Sequence, residues 1–513
     1  MNIIQRFHGL LHSCPNKKIL GYKKNNQWNW ITRENLKNNV LYCIDVLKDN
    51  GVEKNNRVIY KGNNSVEWVS WNIATTALGA CWVPLYHNQN NNYVNHIIND
   101  CTPKVFINDS NPIDDKMKNK MNIISNKVEN FNYNSEIPLE HNSYISNLIY
   151  SSGTTGKPKG VILTNENILS NVDAIQWRFS DLQYRKQYTT LNILPWAHIY
   201  GLTTELYYNL LNNNKIAISN GPENFVTELR EIQPDLLYLV PRVLQLIKKK
   251  LEIFDKPVIR YLLPLVIKKI FGKNLLTIFV GGSQLDETTK QFYVNNEIKL
   301  CEGYGCTETA PMISVNHTSN PRNINSVGKI MDNVIVKIID EEICVSGPNV
   351  MTGYWNNHEA TKKALVNVDN HIFYRTGDSG SIDDKGFLYY NGRIGENYKL
   401  SNGKFVNVND IENQVKKYTS YNFIVYGNNK DCNIIITERD TNLNDDALRL
   451  INKELDSYLR IKKILKLPNG SFQEFLTPKM SIKRRALEKA YQKEIENIYL
   501  HPLRFKTPSL KQL

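Results

Sequence analysis

No two of the eight cysteines in this chain form a Cys-x-x-Cys pair. A zinc ribbon and a disulfide-dense secreted scaffold are therefore excluded as readings, and a reducing compartment fits better. No apolar run reaches about 18 residues, so no spanning helix is expected. The start of the chain lacks the basic, apolar and small-residue order of a signal peptide, so a cytoplasmic rather than a secreted protein is expected. Acids are in short supply. Fifty Asp and Glu face 63 Lys and Arg, a net charge of +13, which favours acidic partners such as nucleotides or anionic lipid heads. No zinc-finger spacing or basic-aromatic signature turns that charge into a specific nucleic-acid reader.

What remains is close to average. Apolar residues are 41% and charged residues 22% of 513, enough for a buried core divided among about two to four units. Asparagine is the exception, with 68 residues or about 13% of the chain. Runs such as 88–92 and 212–214 fall where turns are expected, and compositional bias accounts for them.

Ile3, Ile4, Phe7, Leu10 and Leu11 recur at helical spacing and predict an opening helix over 1–20. Short apolar strands then alternate with helices: strands at 57–61, 104–107, 146–150, 189–194, 215–219, 236–240 and 276–280, helices at 66–80, 166–176, 202–211, 223–231 and 242–253. That alternation predicts parallel α/β sheets covered by helices. From about 326 the strands shorten between Gly, Asn and Asp, which predicts a small barrel-like subdomain to 391. Residues 392–396 are expected to hinge a mobile α+β C-terminal domain, 397–513. The basic, apolar stretch 242–272 suits peripheral contact with an anionic membrane, or helices packed on the large domain with a solvated basic face.

The chemistry is densest at 150–165, YSSGTTGKPKGVILTN. A strand leads into small hydroxyl and Gly residues, then a Lys, then a helix. Gly153 and Gly156 allow close backbone approach, so amides are free to face phosphate oxygens. Ser151, Ser152, Thr154 and Thr155 add hydroxyls and Lys159 adds charge. The Walker A spacing is absent.

This string resembles the phosphate loop of the adenylate-forming superfamily, and further motifs follow in the family's order. In LPWAHIYGL (194–202), the resemblance places His198 beside the carboxylate or as a gate. GGS (281–283), with Gly282 and Ser283, resembles the adenine-lining segment. In EGYGCTETAP (302–311), Glu302 and Gly303 belong to the nucleotide site and Tyr304 stacks on adenine. Thr307 there donates to a phosphate, and Glu308 holds Mg2+ through a hard oxygen ligand. In YRTGD (374–378), Asp378 accepts from the ribose hydroxyls. In GRIGENYKLSNGKFVNVNDIE (392–412), Arg393 contacts ribose or phosphate and Lys399 is the basic residue of the following loop. LTPKMSIKRR (476–485) resembles the segment with the adenylation Lys. The 398–405 wording and the final helix are most similar to long-chain fatty acyl-CoA synthetases.

The resemblance implies that a carboxylic acid, medium- or long-chain fatty, attacks Mg·ATP to give an acyl-adenylate and pyrophosphate. Coenzyme A then takes the acyl group and AMP leaves. Three departures bear on this. Ser481 stands where the family has its Lys, and losing such a cation costs ~3 kcal/mol of transition-state stabilisation. Lys479 and Lys483 flank it, and on an extended segment residues two apart face one side, so either can substitute. Gly395 replaces a charged hinge residue. Residues 242–275 look abbreviated, which bears on chain length. A separate acyl carrier protein as acceptor and a non-catalytic nucleotide- or acyl-binding homologue are the rival readings. With 28 residues after Arg485, a fused carrier domain is not expected.

Overall fold

A computed structural model describes residues 2–109, 121–128, 136–139, 145–152, 158–182, 187–251, 260–319, 321–476 and 482–500. The opening helix is Ile3–His12, shorter than its apolar periodicity suggests. Asn2 starts it with a capping box shared with Gln5, and the five apolar side chains are buried. Cys14 then adopts a left-handed φ of 49° ahead of Pro15, which ends the helix. Residues 18–20 join the strand Lys18–Lys24 instead. That strand forms a hairpin with Gln27–Thr32. Asn25 and Asn26 make the turn with φ of 50° and 59°, the left-handed pair a tight hairpin needs.

Two large sheets follow from the expected alternation. One holds seven strands in the order Gly353–Tyr354, Pro158–Leu163, Asn147–Ser152, Cys81–Tyr86, Arg57–Gly62, Val105–Asn108, Asn122–Ser125. The other holds nine: Lys329–Ile330, Met312–Val315, Leu300–Gly305, Thr277–Val280, Leu236–Leu239, Thr189–Asn192, Lys215–Ile218, Lys18–Lys24, Gln27–Thr32. Both are parallel at the centre; the nine-stranded sheet is antiparallel at both edges, and the seven-stranded sheet at the Gly353–Tyr354 edge, while its Asn122–Ser125 edge is parallel. The central strands are buried on both faces, as a helix-covered sheet requires. Trp68 makes edge contacts with Trp82 at 5.2 Å and Trp196 at 5.6 Å, so the 194–202 segment is pinned to this core.

The segment expected to be barrel-like is a five-stranded sheet of Ile335–Ile339, Glu342–Ser346, Leu365–Val368, His371–Ile382 and Leu388–Arg393. The chain divides into two compact units. The first comprises Met1–Leu285, Phe292–Thr376 and Gly380–Tyr390; the second comprises Asp286–Gln291, Gly377–Ser379 and Asn391–Leu513. The second unit is α+β. Its sheet pairs Phe423–Tyr426 antiparallel and Ile461–Leu467 parallel with Asn433–Glu438. The helices Val408–Lys416 and Asp445–Lys453 supply Ile411, Val415 and Ile451 to its core.

Candidate active site

The Gly- and hydroxyl-rich string is flanked by two antiparallel strands. Ser151 pairs with Lys159, and Ser152 with Pro158, across Asn147–Ser152 and Pro158–Leu163. Gly153, Thr154, Thr155 and Gly156 lie outside the described residues, as does the side chain of Ser152. The expected Lys-then-helix order is corrected here. Lys159 stands on a strand, because Val161 and Ile162 favour extended backbone. The helix begins only at Asn165, capped by Thr164.

Lys159 points its ammonium at the ring of Tyr354, 5.1 Å from the centroid. The Tyr354 hydroxyl donates to Glu308 Oε1 at 2.9 Å. The two strands that carry Lys159 and Tyr354 are neighbours, with Tyr354 opposite Val161. Burial, followed by the charge of Glu308, raises the Tyr354 phenol, so it stays a donor. Glu308 sits on the single turn Thr307–Thr309. Its carbonyl accepts from Met351 N at 2.8 Å, and Asn171 bonds Thr309 O and Met312 N on either side. Thr307 is buried in the same turn. Gly305 leads into it and admits no side chain, since a Cβ would lie 1.7 Å from Pro311 O.

The strands Thr277–Val280 and Leu300–Gly305 are parallel neighbours, with Val280 opposite Glu302. Their ends bring Gly281 against the Tyr200 ring and Gly303 O, where a Cβ would stand at 3.4 and 3.5 Å. Gly282 takes φ +85°, which Gly alone adopts cheaply, and Ser283 is exposed beside it. Glu302 is buried, and its Oε1 accepts from Leu285 N at 3.4 Å, so it braces the turn after Val280. Tyr304 lies 5.7 Å from Tyr390, ring to ring.

His198 Nδ1 accepts from Tyr200 N at 3.1 Å. In the neutral ring the proton is then on Nε2, which presents a donor. The helix that follows, Tyr200–Tyr207, is wound as a π-helix rather than an α-helix, a form common at functional sites. It carries Glu205, wholly buried, which accepts from Asn192 Nδ2 and from Trp196 Nε1 at 3.2 Å. Asn64 bonds Asn192, Leu194 O and Trp196 N, closing the network around the loop. Burial raises the Glu205 carboxyl well above its usual range.

In the second unit, Arg393 Nε meets Asp378 Oδ1 at 3.0 Å, with Asp378 buried. The two residues assigned to the ribose thus pair with each other. Lys399 is exposed on the hairpin Tyr398–Lys399/Phe405–Val406. Lys479 and Ser481 lie outside the described residues. Leu476 bridges Ile482, and Lys483 N donates to Phe475 O at 2.7 Å. Residues 477–481 lie outside the described residues, and with them most of the segment expected to be extended. Lys483 occupies the N-cap position of the helix Arg484–Ala490.

Tyr354, Tyr390, Tyr200 and Glu205 were missed in the sequence. The aromatic pair in Gly353-Tyr354-Trp355, beside a Gly, was the one local signal among them. A cavity of about 720 Å3 lined by Arg322, Asn323, Asp383 and Lys385 lies elsewhere, and none of the motif residues lines it.

Among the described residues, no group of three or more His, Cys, Asp or Glu could hold a metal. Glu308 offers one carboxylate, with Oε1 engaged by Tyr354. That donor set fits magnesium brought on nucleotide phosphates, which takes one or two protein carboxylates and completes its shell with phosphate and water oxygens.

Comparison with known proteins agrees over nearly the whole length. An AMP-binding enzyme family profile matches residues 11–355, and an AMP-binding enzyme C-terminal domain profile matches 397–502. A probable CoA ligase of Humulus lupulus is 25% identical, over 92% of this chain and 88% of the relative. A long-chain-fatty-acid–CoA ligase of Mycobacterium bovis is 22% identical, over 88% and 89%. Among solved structures, o-succinylbenzoate CoA synthetase from Bacillus subtilis, in complex with its acyl-adenylate, superposes with a TM-score of 0.78. It is 19% identical, over 94% of this chain and 97% of that one.

Proposed function

The chain belongs to the AMP-binding enzyme family, and from that premise we propose that it is an AMP-forming acid–CoA ligase whose acid is a medium- or long-chain fatty acid. The observation that carries the reading is the convergence of Lys159, Tyr354 and Glu308, with Lys159 on the strand that follows residues 153–157 in the chain. Cation, donor and hard carboxylate there suit a nucleotide triphosphate.

In the first step a carboxylate oxygen attacks the α-phosphorus of ATP, and the bond to the bridging oxygen breaks to release pyrophosphate. Lys159 offsets phosphate charge and Thr307 donates to a phosphate oxygen. Glu308 would hold magnesium, which neutralises the phosphates when bound. The His198 Nε2–H faces the acid. Tyr304 and the 281–283 turn receive adenine, and Asp378 and Arg393 exchange their mutual contact for the ribose. This work is positioning and electrostatic relief, with no covalent intermediate on the protein. In the second step the 392–396 segment acts as a hinge and Lys399 enters. The coenzyme A thiol attacks the acyl carbon, its proton passes to solvent, and AMP leaves. Residues 479–483 serve the first step, with Lys479 and Lys483 as the candidate cations in place of Ser481.

The long-chain assignment rests on the 398–405 wording, the final helix and relatives named for long-chain acids. The test is AMP release from Mg·ATP with acids from butyrate to arachidate, with and without coenzyme A. Ser481→Lys, Lys479→Ala and Lys483→Ala run alongside. AMP release that needs both a fatty acid and coenzyme A is the expected result. Turnover absent from the parent but present in Ser481→Lys would replace the ligase reading with a nucleotide-binding homologue.

A further inference from the structure

Two helices of the first unit, Pro241–Leu251 and Leu263–Phe271, share one core but present an unusual outer surface. Leu244, Ile247 and Leu251 of one, and Leu263, Ile267, Ile270 and Phe271 of the other, are buried in the same cluster. Their opposite faces are not the polar cover that a surface helix normally carries. Leu246 is 47% exposed, Leu265 63%, and Tyr261, in the turn before the second helix, 74%. Each of the two exposed leucines stands one turn before lysines. Leu246 precedes Lys249 and Lys250 by three and four positions. Leu265 precedes Lys268 and Lys269 by the same spacing, and all four lysines are exposed. Residues three and four apart on a helix are neighbours, so apolar and cationic side chains alternate on the outer face.

The charge is one-sided. Over residues 241–276 the sequence has nine Lys and Arg against two acids, Glu252 and Asp255. The excess of seven (nine minus two) is more than half of the chain's +13, in about one-fourteenth of its length. Neither helix carries an acid. Ordinary solvated faces mix both signs.

We propose that this face docks on an anionic lipid membrane, with Leu246, Tyr261 and Leu265 entering the headgroup region and the lysines on acidic headgroups. Long lysine stems lie along apolar surface while their heads stay in water, which suits this alternation. A nucleic-acid surface would draw on the lysines and leave the exposed leucines and tyrosine without a role. Among the described residues no helix is long and apolar enough to cross a membrane, so the contact is peripheral. The proposal goes beyond the ligase reading and stands or falls apart from it.

The test is flotation of the full-length protein with phosphatidylcholine vesicles, with and without phosphatidylserine, at rising salt. Binding only to the phosphatidylserine vesicles, weakening with salt, is expected. Each of Lys250→Gln, Lys268→Gln, Lys269→Gln and Lys273→Gln should weaken it about fivefold. Tyr261→Ser with Leu265→Ser should weaken it at every salt concentration, by removing the apolar part. All are exposed positions, so parent-like melting accompanies each change. The proposal is overturned by a parent that ignores anionic vesicles, by a quadruple lysine variant that binds as the parent does, or by a parent that binds RNA but not vesicles.

Discussion

Replacing Tyr354 with Phe deletes one oxygen and leaves the ring on which Lys159 rests. What is lost is the 2.9 Å hydrogen bond to Glu308 Oε1. A hydrogen bond to a charged group contributes about 1.5–3 kcal/mol. Both residues are half-buried, so solvent replaces part of it and the lower end applies. About 1.5 kcal/mol corresponds to about tenfold in rate. The site reading places this loss on the nucleotide side. In Tyr354→Phe, kcat/KM for Mg·ATP should therefore fall about tenfold, while KM for the acid stays within about twofold. Pyrophosphate exchange reads this step before coenzyme A enters. A double-mutant cycle sharpens the test. Once Glu308→Gln has removed the charge, adding Tyr354→Phe should cost much less than it does in the parent. Equal costs in the two backgrounds, or a parent-like kcat/KM for Tyr354→Phe, would refute the idea that Tyr354 positions Glu308.

Two further outcomes follow from buried groups. Glu205 is held above its ordinary value of 4.5 by burial, so the folded chain keeps a proton that the unfolded chain releases. Its contribution is full below about pH 4.5 and is lost as pH rises towards the folded value. Urea unfolding across pH should show a shallower fall for Glu205→Gln than for the parent. Glu205→Ala leaves the Asn192 and Trp196 donors unmet beside a cavity, and should cost about 3 kcal/mol or more. Gly305→Ala puts a Cβ 1.7 Å from Pro311 O. It should lower the melting temperature and abolish the thermal shift given by Mg·ATP, whereas Gly9→Ala, where a Cβ meets nothing within 4 Å, should keep that shift.

Local chemistry was written in the chain in short strings. The 150–165 string, the Thr307-Glu308 turn and the Asp378 and Arg393 motifs each stand out within a few residues, because the phosphate cradling and hard-oxygen ligation proposed for them need small groups at fixed spacing. Apolar alternation likewise located most of the central strands and the helices between them. Asparagine, treated as bias, also supplies structure. It makes the 25–26 turn and caps helices at Asn2, Asn357, Asn407 and Asn444. Tertiary structure decided the rest. Lys159 reads as the residue before a helix until strand pairing sets it opposite Ser151. Tyr354 is 46 residues from Glu308, and only the order of the seven-stranded sheet lays Gly353–Tyr354 beside the strand of Lys159. Glu205 looks like a helix-surface acid until packing removes its water. Side-chain type and spacing are local properties of the chain. Burial, charge state and the partner of a hydrogen bond depend on which distant strands meet, and that is settled by packing the whole sheet.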